Sequence, residues 1–120
     1  MPKKILITDD AMFMRYNLKK ILDSFGYTDI IEAANGQEAV QQYAIHKPDL
    51  VLMDITMPVM DGISAVRAIK AAHPDATIIM CSAMGQKNMI IEAILAGAKD
   101  FIVKPFQPER IQESVHKFLG

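Results

Sequence analysis

Short apolar runs alternate along this chain with longer segments that have a helical pattern of apolar and polar positions. The short runs predict five β-strands, at Ile5–Thr8, Asp29–Ala33, Leu50–Met53, Thr77–Cys81 and Phe101–Val103. The longer segments predict five α-helices, at Met12–Phe25, Gln37–Ile45, Ile63–Ala72, Lys87–Ala96 and Pro108–Leu119. This alternation is typical of an α/β fold in which helices cover both faces of a parallel sheet.

Glycines and prolines agree with the predicted helix ends. Gly26 and Gly97 stand where a helix needs a left-handed residue to end it, and Pro48 and Pro74 follow the second and third helices. Five strand-helix units with right-handed crossovers form a doubly wound sheet. Ligands of such sheets bind beyond the carboxyl ends of the strands, so these ends are the place to look for function.

Length and charge narrow the possible functions. The 120 residues correspond to one domain with one core, which we expect to span residues 1–120. The net charge of -1 gives no broad basic surface, so we expect no direct binding to nucleic acid or to a membrane. The single cysteine, Cys81, cannot form an internal disulfide, and residues 1–4 lead into the first strand without a signal-peptide core. We therefore expect a cytoplasmic protein.

Polar residues follow four of the five predicted strands. They are Asp9 and Asp10 after the first strand, Asp54 after the third, Ser82 after the fourth and Lys104 after the fifth. Singly, each has an ordinary structural interpretation, such as a helix cap, a turn or a surface side chain. Together, the three carboxylates would repel each other by about 4 kcal/mol per close pair at an effective dielectric constant near 20. Their clustering predicts a counter-charge, and Mg²⁺ is a hard cation that prefers oxygen ligands.

The residues at these strand ends resemble those of receiver domains of two-component response regulators. The matching stretches are Asp9–Asp10, residues 53–58, residues 60–62, Ser82–Ala83 and residues 97–106. They extend over essentially the whole chain, and residues 53–58, 81–86 and 99–107 are most similar to CheY-type chemotaxis proteins. The resemblance implies a flavodoxin-like sheet with strand order 2-1-3-4-5.

The resemblance also implies the roles of the strand-end residues. Asp54 would be the phosphoacceptor, whose carboxylate attacks a phosphoryl group carried on a histidine of a sensor kinase. Lys104 would pair with one phosphoryl oxygen and Ser82 would donate a hydrogen bond to another. The Lys104–Pro105 bond would be cis. Mg²⁺ would be held by Asp9, Asp10, Asp54 and the backbone carbonyl of Thr56.

A change of conformation is the implied output. The phosphoryl charge is expected to pull Ser82 inward and to bias a two-state element that includes Phe101, where many relatives have tyrosine. The output face would be the fourth helix, fifth strand and fifth helix, with candidate partner residues Lys87, Ile90, Ile91, Leu95 and Phe101. Helical spacing prevents Ile90, Ile91 and Leu95 from all facing the sheet, so at least one of them should be exposed.

Three functions remain open from the sequence. The favoured one is a phosphoacceptor switch that assists its own phosphorylation and dephosphorylation but is not an enzyme. Its partners would be a sensor histidine kinase, an effector such as the flagellar motor switch, and in some systems a phosphatase. The second is the receiver half of a DNA-binding transcription regulator. The third is an Mg²⁺-dependent phosphohydrolase, although such enzymes usually carry the nucleophile on the first strand in an Asp-x-Asp arrangement.

Overall fold

The computed structural model describes residues 3–83 and 85–120, and the strands of these residues form one parallel sheet of five. The strands are β1 (Lys4–Thr8), β2 (Asp29–Ala33), β3 (Leu50–Met53), β4 (Ile78–Ser82) and β5 (Asp100–Val103). Their order across the sheet is β2-β1-β3-β4-β5, and each neighbouring pair is parallel. The predicted fold class and strand order are confirmed.

Five helices alternate with the strands of the described residues. They are α1 (Met12–Ser24), α2 (Gly36–His46), α3 (Gly62–Ala72), α4 (Lys87–Ala96) and α5 (Pro108–Leu119). The start of α2 differs by one residue from the predicted start, because Asn35 caps the helix. Its side chain accepts a hydrogen bond from the Glu38 amide, and the Glu38 carboxylate accepts one from the Ala34 amide. The pairing is a variant of a capping box: it satisfies the Glu38 amide, which a helix start otherwise leaves unpaired, and the amide of the residue before the N-cap.

The sheet separates two apolar layers. Along the central strand β3, Leu50 and Leu52 pack on the side of α1 and α5, whereas Val51 and Met53 pack on the side of α2 and α3. This alternation follows from the two-residue period of a strand, and all four residues are buried because helices cover both faces. The sheet is therefore a fixed platform whose carboxyl edge carries the candidate residues.

The helix α4 has few buried side chains. Only Ala93 of this helix is fully buried among the residues described, while Leu95 is 82% exposed and Ile91 is 48% exposed. The expectation that at least one aliphatic residue of this helix is exposed is therefore confirmed. No helix in the described ranges combines the length and apolar character that a bilayer-spanning segment requires.

Candidate functional site

Three carboxylates meet at the carboxyl edge of the sheet. Asp9 and Asp10 follow β1 and Asp54 follows β3, and these two strands are neighbours paired in register from Ile5 and Leu50 onward. One carboxylate oxygen from each of the three aspartates lies within 4.8 Å of the others. Asp9 and Asp54 are buried, and Asp10 is exposed. The convergence predicted from the strand ends is thus present.

The ammonium group of Lys104 faces the same cluster. Its Nζ donates a hydrogen bond of 2.5 Å to Asp9 Oδ2 and lies 3.5 Å from Asp54 Oδ2. The backbone amide of Lys104 donates to the Ser82 carbonyl at 2.9 Å, which ties the end of β5 to the end of β4. The following Lys104–Pro105 bond is cis, as the resemblance implied. The Lys104 ammonium group is thus paired with two buried carboxylates, those of Asp9 and Asp54.

Burial and charge act in opposite directions on these groups. Burial raises the pKa of Asp54 above its usual value; Lys104 opposes this rise and the neighbouring Asp9 adds to it. Burial would lower the pKa of Lys104, but its hydrogen bond to Asp9 and the charges of Asp54 and Asp9 outweigh this and raise it. The lysine is therefore a fixed positive charge at neutral pH. Asp54, in contrast, is a carboxylate for which ionisation is costly in the fold.

Backbone amides fix the two buried carboxylates. The Ala11 amide donates to Asp9 Oδ1 at 2.9 Å, and the Ile55 amide donates to Asp54 Oδ1 at 2.9 Å. The residue that caps α1 is Ala11, so neither Asp9 nor Asp10 serves as its N-cap. The interpretation of these aspartates as ordinary helix caps is wrong for this reason.

The loop between β3 and α3 passes very close to Asp54. The Gly62 amide donates to the Ile55 carbonyl at 2.7 Å, and a Cβ atom on Gly62 would lie 1.9 Å from the Asp54 carbonyl oxygen. Only glycine fits this approach. In the same loop, Val59 has a φ of 69°, which is unfavourable for a β-branched residue. The tight loop holds the backbone on both sides of Asp54.

The donor set suits a hard divalent cation. The three carboxylates supply oxygen ligands, and the single ammonium of Lys104 leaves a local excess of negative charge. Thr56, whose carbonyl is a predicted ligand, lies in the loop two residues after Asp54 and is exposed. The residues present therefore fit Mg²⁺, with the exposed Asp10 on the solvent side of the cluster.

The strand β4 carries a thiol and a hydroxyl next to this cluster, those of Cys81 and Ser82. Ser82 is the last residue of the strand and is buried, at the predicted strand end. Burial raises the pKa of the Cys81 thiol to about 12, so this residue remains an uncharged thiol and is no candidate nucleophile. Asp54 is the buried carboxylate following β3 that lies both among the cation ligands and 3.5 Å from the Lys104 ammonium.

Comparisons with known proteins match this geometry. The profile of a family described as "Response regulator receiver domain" matches residues 5–116. The chain belongs to the response regulator receiver domain family. It is 58% identical to the "Chemotaxis protein CheY" of Bacillus subtilis over 120 residues, covering 100% of both chains. It is 59% identical to the "Chemotaxis protein CheY" of Thermotoga maritima over 117 residues, covering 98% of both.

A solved structure extends the comparison to a complex. The chain is similar to a structure of the CheX-CheY-BeF3-Mg complex from Borrelia burgdorferi, with a TM-score of 0.94 and 38% identity. The match covers 100% of this chain and 92% of that chain. This receiver domain is therefore closely related to the CheY chemotaxis response regulators, and its acidic cluster is typical of the metal site of such domains.

The predicted partner residues of the receiver domain extend along α4 from its first turn to its last and include one residue of β5. Lys87, Ile91 and Leu95 are exposed, whereas Ile90 and Phe101 are partly buried. Ile94 and Val103, which were not predicted as partner residues, are 46% and 49% exposed. We call the exposed apolar set Ile91, Ile94, Leu95 and Val103 the α4–β5 face.

One contact of the site was not predicted from the sequence. Arg15, on the first turns of α1, donates from Nη1 to the Asp9 carbonyl oxygen at 2.7 Å and from Nε to Glu32 Oε1 at 3.1 Å. The available signal is its spacing, since a residue one turn into α1 faces back toward the loop that precedes the helix.

Proposed function

We propose that this receiver domain is a cytoplasmic phosphoacceptor switch of a two-component phosphorelay, acting in chemotaxis, with Asp54 as the acceptor. The observation that carries the proposal is the meeting of Asp54 with two further aspartates and Lys104 at one edge of the sheet. Full-length similarity to CheY chemotaxis proteins supports the pathway. The proposed donor is a sensor histidine kinase, and the proposed receivers of the signal are a motor switch or other effector and, in some systems, a phosphatase.

The transfer step follows from the chemistry of the acceptor. A carboxylate oxygen of Asp54 attacks the phosphorus of a phosphohistidine, a new P–O bond forms, and the P–N bond breaks. With the other ring nitrogen of the phosphohistidine protonated, the electron pair of the broken bond stays on the nitrogen that carried the phosphoryl group, and the donor leaves as a neutral histidine. The backbone amide of Ile55 holds one oxygen of the acceptor in place at 2.9 Å, which limits the directions from which the donor can approach.

Charge at the acceptor must be neutralised for the transfer to occur. Lys104 lies 3.5 Å from Asp54 and would pair with a phosphoryl oxygen as a fixed positive charge. Asp9, Asp10, Asp54 and the Thr56 carbonyl would hold Mg²⁺. When bound, this ion supplies a second positive charge that stabilises the phosphoryl oxygens. The same groups would position the water that removes the phosphoryl group, so the protein assists both steps without acting on an external substrate.

The added charge would act on Ser82 and Phe101. Ser82 is buried at the end of β4, and Phe101 is partly buried on β5, the strand paired with it. A phosphoryl group of charge about -2 near Ser82 would draw this hydroxyl toward it and change the packing around Phe101. Because Phe101 lacks a hydroxyl, its response would depend on burial of the ring alone. The α4–β5 face lies next to Phe101 and is the proposed effector surface.

Phosphotransfer from an autophosphorylated histidine kinase of a chemotaxis system tests the proposal. We expect transfer to the wild-type protein in the presence of Mg²⁺ and no transfer to the Asp54→Asn variant. Asp75→Asn is the matched control, because it removes an exposed carboxylate outside the cluster. Undiminished transfer to Asp54→Asn would show that another residue accepts the phosphoryl group and would contradict the proposal.

A further inference from the structure

Arg15 connects three elements around the acidic cluster. It lies on α1, its side chain is only 16% exposed, and it donates both to the Asp9 carbonyl in the loop after β1 and to Glu32 on β2. The distances are 2.7 Å and 3.1 Å, so both contacts are hydrogen bonds to fixed acceptors. A cation held this closely next to an acidic cluster acts on the geometry of that cluster.

We propose that Arg15 is a positioning residue that orients the Asp9–Asp10 peptide and thereby sets the affinity of the acidic cluster for Mg²⁺. This inference rests on the proposed function, because it assumes that the cluster holds the ion. Arg15 does not touch the ion or the phosphoryl group. It acts through the backbone of the residues that do.

The argument begins with the Asp10 carboxylate. No hydrogen bond to this carboxylate is found within residues 3–83 and 85–120, in contrast to those of Asp9 and Asp54, which backbone amides hold. Its direction therefore depends on the backbone that carries it. The Asp9 carbonyl, which accepts from Arg15, belongs to the planar peptide unit that leads to the Asp10 Cα. Fixing this carbonyl fixes the plane from which the Asp10 side chain projects.

Arginine suits this role for a geometric reason. Its planar guanidinium presents several donors in a rigid fork, so it can bind the Asp9 carbonyl and the Glu32 carboxylate at the same time. A lysine keeps the charge but has one ammonium on a flexible chain. Arg15→Lys thus separates the positioning effect from the charge effect. Loss of the Arg15 charge alone would strengthen Mg²⁺ binding, because the positive guanidinium repels the cation.

Lys19 provides a matched control on the same helix. It lies one turn after Arg15, carries the same charge and pairs with the same carboxylate, Glu32, at 3.7 Å. The Lys19 ammonium has no contact with the Asp9 carbonyl among the hydrogen bonds of the described residues. Lys19→Met therefore removes a comparable surface charge without changing the peptide between the two aspartates.

Calorimetric titration with Mg²⁺ tests the proposal directly. We expect Arg15→Lys to bind Mg²⁺ about 10-fold more weakly than the wild type, the loss typical of a residue that orients metal ligands. Lys19→Met should change the affinity by less than about two-fold. In phosphorylation by phosphoramidate, Arg15→Lys should raise the Mg²⁺ concentration for half-maximal rate by the same factor and leave the rate at saturating Mg²⁺ unchanged.

The possible outcomes separate this proposal from the proposed function. Equal Mg²⁺ affinity of folded Arg15→Lys and the wild type would overturn the positioning role and leave the phosphoacceptor role intact. Failure of the wild type to bind Mg²⁺ would overturn the proposed function itself. Should Arg15→Lys not fold, Glu32→Gln decides, because it weakens the anchor of Arg15, and the other partner of Glu32, Lys19, does not contact the Asp9 carbonyl. A folded Glu32→Gln with unchanged affinity would refute the positioning role.

Discussion

The acidic cluster and the α4–β5 face depart from the usual distribution of side chains in opposite ways. In the cluster, the carboxylates of Asp9 and Asp54 are buried beside one ammonium. On the α4–β5 face, the large apolar side chain of Leu95 is 82% exposed. Buried charge and exposed apolar surface both cost stability, so each arrangement is expected to persist for a function rather than for folding. The acidic cluster is suited to a chemical reaction, and the α4–β5 face is suited to binding a partner protein.

The two regions also differ in how firmly they are held. Backbone amides, Lys104 and the close approach of Gly62 fix the carboxylates of the cluster. Among the described residues of α4, only Ala93 is fully buried; Met89 and Ala96 pack on the core while partly buried, and an exposed ion pair of 3.5 Å joins Glu92 to Arg67. Exposed ion pairs contribute little to stability. A rigid reaction site joined to a weakly packed helix is the combination that a phosphorylation switch requires.

Replacement of Lys104 by methionine should give the largest change in reactivity. Removing a charge aimed at the phosphoryl oxygens is expected to slow phosphorylation by acetyl phosphate between about 10²-fold and 10³-fold. Mg²⁺ affinity, measured by calorimetry, should not fall, because Lys104 and the cation share the Asp9 carboxylate. Lys99→Met, at an exposed position of the preceding loop, is the control. A rate for Lys104→Met close to that of Lys99→Met would show that the ammonium only neutralises the carboxylates.

Gly62→Ala tests how rigidly the cluster is built. The new methyl group would lie 1.9 Å from the Asp54 carbonyl oxygen, so the backbone must move. We expect the free energy of unfolding, measured with urea, to fall by about 3 kcal/mol. Gly85→Ala is the comparison near the α4–β5 face, where the nearest described atoms to the added carbon belong to the exposed side chain of Val103, at 3.1 Å, and not to backbone. If both variants lose the same stability, the contrast in rigidity between the two regions is wrong.

Leu95→Ser should separate recognition from folding. Because Leu95 is 82% exposed, its truncation should change the free energy of unfolding by less than about 0.5 kcal/mol. Binding to the proposed effector, a motor switch protein of the same organism, should weaken about 10-fold when measured with beryllofluoride and Mg²⁺ present. Ile45→Ser is the control, since Ile45 is 70% exposed on α2. Equal loss of binding in both variants would remove the special role of the α4–β5 face.

The pH dependence of stability gives the smallest expected effect. Burial raises the pKa of Asp54 in the folded state. The protonated carboxyl therefore contributes its full stability below the usual pKa of aspartate, and this contribution is lost as pH rises through the raised folded-state pKa. At neutral pH the ionised carboxylate therefore costs stability, and Asp54→Asn should unfold at a higher temperature than the wild type without Mg²⁺. This difference should shrink as pH falls toward about 4. A difference that grows on acidification would contradict the sign of the shift.

Much of the cluster could be predicted because parallel strands share one edge. The positions of Asp54 and Lys104 after predicted strands were sufficient to place them together, although they are 50 residues apart in the sequence. The strand order could not be obtained from the residues alone and came from the family resemblance. The start of α2 was missed by one residue, although the Asn35 and Glu38 capping pair is visible in the sequence.

Contacts that depend on how a helix docks could not be predicted. The rotation of α1 about its axis decides whether Arg15 reaches the Asp9 carbonyl, and short-range patterns do not fix this rotation. The same holds for α4, where Ala93 faces the sheet and Ile94 is left on the exposed side. Its nearly uniform apolar sequence gives no preferred inner face, so the exposure of at least one residue could be predicted, but not which residues are exposed.

Site mapping of the phosphoryl group tests the central claim most directly. The protein would be incubated with acetyl phosphate and Mg²⁺, reduced with borohydride, digested and sequenced by mass spectrometry. Reduction converts an aspartyl phosphate to homoserine, so the modified position is marked permanently. Our account predicts homoserine at Asp54 alone, and none when a chelator removes Mg²⁺. Homoserine at another aspartate, or labelling that does not depend on the metal, would contradict it.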